Sequence, residues 1–145
     1  MSSPALTRAV SWALRLSLSS AFLFAVADRF GLCGPPGAAN VAWGAWQPFV
    51  EYTGTLLFYL PQAAVQAAAW VATVAEIVLG VWLLTGWQTR LAAYGSMLLL
   101  LGFGVSMVLA LGVKAPMNYS VFTAAAAAFA LAALNSQDGK SMKER

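Results

Sequence analysis

The chain has 145 residues, of which 61% are hydrophobic and only 9% are charged, and its mean hydropathy is +0.74. Soluble domains carry about 25% charged residues, so the composition excludes an ordinary soluble protein and predicts a protein of the lipid bilayer. The formal net charge of +3 comes from scattered basic residues, which excludes a nucleic-acid interface.

The sequence is poor in metal ligands. Histidine is absent, and Cys33 is the only cysteine. Haem, iron–sulfur and zinc sites normally draw on these residue types, so we expect no metal and no covalent cofactor. A quinone or a lipid needs no coordinating side chain and stays compatible with the sequence. We expect Cys33 to act as a small apolar residue; the alternatives are an intermolecular disulfide or a reactive thiol.

Four apolar segments are long enough to cross a hydrocarbon core, which takes about 20 helical residues. They predict an all-α bundle of four transmembrane helices in a single membrane domain. The predicted spans are 7–27, 62–85, 91–113 and 117–134, with an outer loop at 28–61 and a polar, frayed tail at 135–145. The first segment also resembles a cleavable secretory signal ending at Ala25–Ala27, but its length favours a retained span.

The outer loop carries a second helical pattern. Gln47, Glu51 and Thr55 recur at i, i+4 spacing within an aromatic-rich segment from Trp43 to Tyr59. This spacing predicts an amphipathic interfacial helix, which either lies flat as a membrane anchor or folds inward as a lid. Because aromatic belts are common at membrane surfaces, the pattern favours the anchor.

The basic residues predict the orientation of the chain. If both termini share one side, that side holds Arg8, Arg90, Lys140, Lys143 and Arg145, whereas the other holds Arg29 and Lys114. The positive-inside rule then places both termini in the cytoplasm of a bacterial-type inner (plasma) membrane.

Two opposite charges lie inside apolar spans, where they are costly and usually functional. Glu76 lies nine residues before Thr85, roughly 13 Å of helix rise, and Arg15 lies seven residues after Arg8, roughly 10 Å. The similar depths predict a buried Arg15–Glu76 pair, with Ser19 and Thr73 within one turn. Such a pair either clamps two helices together or lines a ligand cavity.

Polar residues also gather at the predicted outer ends of the spans. They could close a mouth over the bundle, or they could be solvated groups at helix ends, which is the more common case. The candidate mouth residues are Asp28, Arg29, Trp43, Trp46, Glu51, Asn118 and Tyr119. Small residues at Gly102, Ser106 and Ala110 predict close helix packing, within the bundle or in a homo-oligomer.

The chain resembles the DoxX family of small four-helix membrane proteins from Arg8 to Leu134. The resemblance depends on Arg15, Phe22–Ala25 and Asp28–Gly31, and on Glu76–Gly80 and Leu84–Ala93. It implies an accessory role beside a quinone-linked membrane oxidoreductase. A more distant similarity to membrane chaperones implies a non-enzymatic assembly role.

These observations favour an accessory membrane protein, not an independent enzyme, whose core binds a small amphipathic ligand such as a quinone. Arg15 and Glu76 would form its polar centre. The alternative is a scaffold or assembly factor that holds no ligand and binds membrane subunits through its small-residue faces. A small transporter is a weaker third hypothesis, because the sequence shows no pair of broken helices.

Overall fold

A computed structural model of the chain describes residues 3–141, with side chains described for residues 3–136. In this part of the chain all regular elements are helices. They are α1 (Pro4–Arg29), α2 (Trp46–Leu56), α3 (Gln62–Thr85), α4 (Thr89–Leu111), α5 (Lys114–Asn118) and α6 (Val121–Ser141). Helices α1, α3 and α4 are long and apolar enough to cross a membrane, and α6 adds a shorter apolar segment, Val121–Ser136. The prediction of an all-α membrane bundle is confirmed.

The fourth predicted span, 117–134, has different bounds. Met117 and Asn118 belong to the short helix α5, and Ser120 adopts a φ of 53° before α6 begins. A residue other than glycine at positive φ cannot continue a right-handed helix, so the chain breaks there. Helix α6 continues to Ser141, so the predicted tail is helical that far, and residues 142–145 lie outside the described part.

Helices α1 and α3 are antiparallel and pack through faces with three- and four-residue spacing. On α3 the buried positions include Val65, Ala69, Thr73, Glu76 and Leu83. This spacing is that of an inward-facing helix stripe. The main apolar core at the α3–α4 end of the bundle consists of Leu18, Phe22, Leu79, Leu83, Ala92, Ala93, Ala128, Leu131 and Ala132.

Arg15 anchors α1 to the end of α3. Its Nε donates to the carbonyl of Leu83 at 2.7 Å, and its Nη2 donates to the carbonyl of Leu84 at 2.8 Å. The last four carbonyls of a helix have no intrahelical donor, and a cation is favoured at this end of the helix dipole. Trp12 covers the guanidinium, with Cζ 4.0 Å from its ring centroid. Arg15 is therefore a C-terminal cap supplied by a neighbouring helix.

Ser19 makes the next contact along the same face. Its hydroxyl donates to the carbonyl of Gly80 at 2.7 Å. A Cβ atom at Gly80 would lie 3.0 Å from Cγ of Leu23, so glycine lets the two helices approach closely. Arg15 and Ser19 together fix the register of α1 against α3.

The predicted Arg15–Glu76 pair is wrong, because helical side chains do not project level with their own Cα atoms. Each Cα–Cβ bond tilts toward the N-terminus of its helix. In antiparallel helices Arg15 therefore leans toward the Thr85 end of α3, whereas Glu76 leans toward the Gln62 end. The two side chains diverge although their Cα atoms have similar depths.

Gly86 tests the Arg15 cap. Its φ is +74°, and an added Cβ would lie 2.8 Å from Nη2 of Arg15. We expect Gly86→Ala to lower the free energy of unfolding by more than the roughly 1–2 kcal/mol that a left-handed backbone alone costs. Titration of the protein from mild detergent into sodium dodecyl sulfate measures this loss.

The matched control is Gly37→Ala, because Gly37 has a φ of +83° but no atom within 4 Å of an added Cβ. Equal losses in the two variants would show that the contact with Arg15 adds nothing to stability.

Candidate functional site

The partner of Glu76 is Arg29, the last residue of α1. Nη2 of Arg29 donates to Oε1 of Glu76 at 2.9 Å, and Nη1 forms an ion pair with Oε2. Nη1 also donates to the hydroxyl of Thr73 at 3.0 Å, and this hydroxyl donates to the carbonyl of Ala69. The arrangement is a bidentate ion pair that is supported by the hydroxyl of Thr73 on α3.

The same geometry that separates Arg15 from Glu76 brings Arg29 to it. Helix α1 runs to Arg29, beyond the predicted end of the span at residue 27. The side chain of Arg29 leans back along α1 toward the bundle interior, while Glu76 leans toward it from α3. Only 5% of the Arg29 side chain and 4% of the Glu76 side chain are exposed. Arg29, assigned from the sequence to the outer mouth, is thus half of the buried polar centre.

The pair balances its own charge but leaves one donor unused. In the described part of the chain, Nε of Arg29 is buried and has no acceptor. Phe49 of α2 packs over the guanidinium, with Cζ 3.8 Å from the ring centroid, a cation–π contact. A buried ion pair is costly to break, because removal of one partner leaves an uncompensated charge.

Asp28, the residue before Arg29, points to the loop instead of into the bundle. Its Oδ2 accepts hydrogen bonds from the backbone N–H groups of Ala42 at 3.0 Å and Trp43 at 2.8 Å. Charged hydrogen bonds of this kind are stronger than neutral ones. Asp28 therefore holds the far end of the loop against the end of α1, and so positions the start of α2.

Helix α2 folds inward over the bundle. Phe49, Val50 and Thr53 are buried, and Phe49 and Val50 form a second core with Val65 and Ala69 of α3. The predicted polar stripe of Gln47, Glu51 and Thr55 is exposed on the opposite face. The preference for a flat anchor is wrong, because the apolar face of α2 packs on α3 and α4. The lid alternative describes the structure.

Under α2 lies a cavity of about 630 Å³, whose wall includes both Arg29 and Glu76. Its lining is largely apolar, with a few hydroxyl groups and the ion pair as its polar parts. The lining residues are Ala25, Arg29, Ala42, Trp43, Phe49, Tyr52, Thr53, Leu56, Leu57, Ala68, Ala72, Glu76, Leu98, Leu99, Gly102, Phe103, Ser106, Met107, Tyr119 and Val121.

The other predicted site residues are divided between the cavity and its surroundings. Trp43 and Tyr119 line the cavity, and Thr73 supports Arg29 behind the wall. Trp46 packs outside the cavity against Trp70, with ring centroids 4.2 Å apart, and against Phe30. Glu51 and Asn118 are exposed; Glu51 accepts from the Gln47 amide. Arg15 and Ser19 lie outside the cavity.

Sequence reasoning missed the contribution of α4 to the cavity. The sequence pattern assigns Gly102 and Ser106 to helix packing, yet both line the cavity. An added Cβ at Gly102 would meet no atom within 4 Å, so this glycine is not a point of close helix approach. The sequence feature that could have indicated this role is a small residue on the next helix at the same depth as Glu76.

Tyr52 of α2 supplies a hydroxyl at the cavity. Burial raises the pKa of Tyr52 above its ordinary value, and a charge on Tyr119 would raise it further. Both effects favour the protonated phenol. Tyr52 is therefore a neutral hydrogen-bond donor near neutral pH.

The chain belongs to the MauE family, because the family model described as methylamine utilisation protein MauE matches residues 7–118. The match includes Arg15, Arg29, Glu76 and the α4 wall of the cavity. The predicted membership of the DoxX family is wrong; its quoted segments are apolar helix stretches and glycine turns that small helical membrane bundles share. No curated protein and no solved structure gives a significant match. The chain is thus a multi-pass membrane protein of the MauE family.

A double-mutant cycle tests the ion pair. We expect Arg29→Met and Glu76→Gln each to lower the free energy of unfolding by about 3–5 kcal/mol, because each leaves a buried charge unpaired. The double variant should lose less than the sum, with a coupling energy of about 1–3 kcal/mol. Unfolding in sodium dodecyl sulfate provides the four free energies.

The matched cycle uses Arg15→Met with Glu76→Gln, whose effects should add to within about 0.5 kcal/mol. Strong coupling of Glu76 to Arg15, or none to Arg29, would contradict the assigned pair.

Proposed function

We propose that this MauE-family protein is an accessory component of a redox pathway and that its cavity holds a small amphipathic ligand, a quinone or a lipid. The family name connects its members with methylamine utilisation, which supports a place beside membrane oxidoreductase subunits. The proposal of a ligand depends on one observation, the cavity of about 630 Å³ with the Arg29–Glu76 pair in its wall.

The size and lining of the cavity support ligand binding. Small-molecule sites have volumes of about 300–1,000 Å³ and combine apolar walls with a few placed polar groups. Ionisable residues in membrane spans commonly mark ligand or ion pathways. The buried pair meets this description, because it lies in the wall of an otherwise apolar cavity.

The alanine-rich face of α6 is used inside the chain, which argues against the scaffold alternative. An added Cβ at Gly104 of α4 would lie 3.0 Å from Cζ of Phe122 on α6, so these two helices already pack closely. Ala125, Ala128 and Ala132 of α6 are buried in the same chain. Less of this surface remains for partner helices than the sequence indicates.

A bacterial-type inner membrane with both termini in the cytoplasm is part of the proposal. The burial of Arg29 in an ion pair supports it, because Lys114 is then the one basic residue without an ion pair in the predicted outer segments, all of which the structure describes. The cytoplasmic segments hold Arg8, Arg90, Lys140, Lys143 and Arg145. Under the positive-inside rule this asymmetry is larger than the sequence alone indicates.

Cys33 reports the orientation, because it is exposed in the loop after α1. We expect a membrane-impermeant maleimide to label Cys33 in intact spheroplasts. In a Cys33→Ser background, Gln88→Cys places a thiol in the α3–α4 turn, which should be labelled only after permeabilisation. The reverse pattern would invert the proposed topology.

Filling the cavity tests the ligand. Ala68 lines the cavity, whereas the neighbouring Ala67 is exposed on the outside of α3. We expect mass spectrometry of extracts from purified native protein to find a near-stoichiometric quinone or lipid. Ala68→Phe should reduce its occupancy by about tenfold or more, because the ring occupies ligand volume.

Ala67→Phe is the matched control and should retain the native occupancy. Native protein without a bound compound, but purified with a membrane partner, would favour the scaffold. Equal occupancy in both variants would place the compound outside the cavity.

A further inference from the structure

Two exposed residues of α4 form part of the cavity wall, which leaves a gap between α3 and α4. Leu98 and Gly102 both line the cavity, and both are exposed; Leu98 is 64% exposed. Both residues lie within α4, a helix long and apolar enough to cross the membrane. The cavity therefore reaches the surface at the level of the lipid chains.

The gap exists because α3 and α4 diverge from their connecting turn. Near the turn they touch, since an added Cβ at Gly95 would lie 2.9 Å from Cδ2 of Leu79. Two turns further along α4, an added Cβ at Gly102 would meet no atom within 4 Å. Helix α2 spans the divergent ends, because it contacts both α3 and α4. Below α2 the cavity is lined by Ala68 and Ala72 of α3 and by Leu98 and Gly102 of α4, which we take as the two sides of the opening.

We propose that this gap is a lateral portal through which an uncharged, ring-bearing amphiphile passes from the bilayer into the cavity. The inference rests on the proposed function, in which the cavity holds an amphipathic ligand. It adds the route of access and the chemical class of the head group.

The charges of the cavity define that class. Arg29 and Glu76 neutralise each other, so a charged head group would lose its hydration and find no counterion. Nε of Arg29 is a buried donor with no acceptor in the described part of the chain, whereas Oε2 of Glu76, which also has no hydrogen bond, is held by Nη1 of Arg29 in the ion pair. Tyr52 and Ser106 line the cavity, and their hydroxyls can also donate. The head group should therefore accept hydrogen bonds, as a carbonyl does.

The apolar walls of the cavity indicate the other two parts of the ligand, a flat ring and an alkyl tail. Trp43, Phe49 and Phe103 line the cavity and offer aromatic faces or edges to a flat ring. The portal is bordered by alanine, leucine and glycine, which suits an alkyl tail that extends into the bilayer. A quinone has this combination of uncharged ring, carbonyl acceptors and alkyl tail.

The geometry favours this ligand over a helix of a second copy. A helix interface uses small residues on a continuous surface, whereas Gly102 borders an opening that leads inward to the ion pair. A packed helix would cover the opening without filling the cavity behind it.

Timed uptake of decylubiquinone by protein in dioleoylphosphatidylcholine vesicles tests the portal. Gly102→Phe places a ring in the gap and should slow uptake by about tenfold, which is about 1.4 kcal/mol in the barrier. Leu101→Phe is the matched control, because Leu101 is exposed and does not line the cavity; its ring lies beside the portal, and this variant should keep the native rate.

Other outcomes overturn the portal. One is a native rate in Gly102→Phe, and another is equal slowing in Leu101→Phe. A third is no uptake of decylubiquinone by the native protein; if Ala68→Phe still displaces a co-purified lipid, the proposed function stands and the portal fails. Conversion of a native dimer to a monomer by Gly102→Phe, measured by light scattering, would assign the gap to a second copy.

Discussion

The buried ion pair between Arg29 and Glu76 is the constraint on which the outer half of the structure depends. It joins the end of α1 to the middle of α3, and Phe49 covers it from α2. Because neither charge is tolerable alone in an apolar interior, the three helices must meet at this level. Asp28, one residue earlier, then fixes the loop that leads into α2. The cavity exists because α2 covers this meeting point without filling the space beside it.

The two ends of the bundle are stabilised in different ways. Toward the α3–α4 turn, apolar side chains fill the interior, and Arg15 satisfies carbonyls at the end of α3. At the other end, a polar pair and an aromatic lid surround open volume. The tightly packed end makes the helix bundle rigid. A rigid bundle can keep a cavity at its other end without collapse. Membership of the MauE family covers both ends, since the match extends from residue 7 to residue 118.

The helices and their apolar character could be predicted from composition and hydropathy alone, as could the exposed polar stripe of α2. The pairing of charges could not, because helix rise places Cα atoms and not the ends of long side chains. Arginine at position 29 follows an apolar segment and has the pattern of a solvated helix end, yet its direction returns it to the interior. The lid was also ambiguous, since an aromatic face suits a membrane surface and a protein core equally well. The role of Gly102 could not be predicted, because it depends on the distance between α3 and α4, and no short sequence pattern indicates that distance.

The contacts of the two arginines of α1 with α3 fix the number of residues between them. Arg15 and Arg29 are fourteen residues apart, which is close to four full turns, so both face α3 from one side. One residue inserted between them would rotate Arg29 by about 100° relative to Arg15. The charge of Arg29 would then turn away from Glu76 and have no partner. The contacts at its two ends therefore fix the length of this segment.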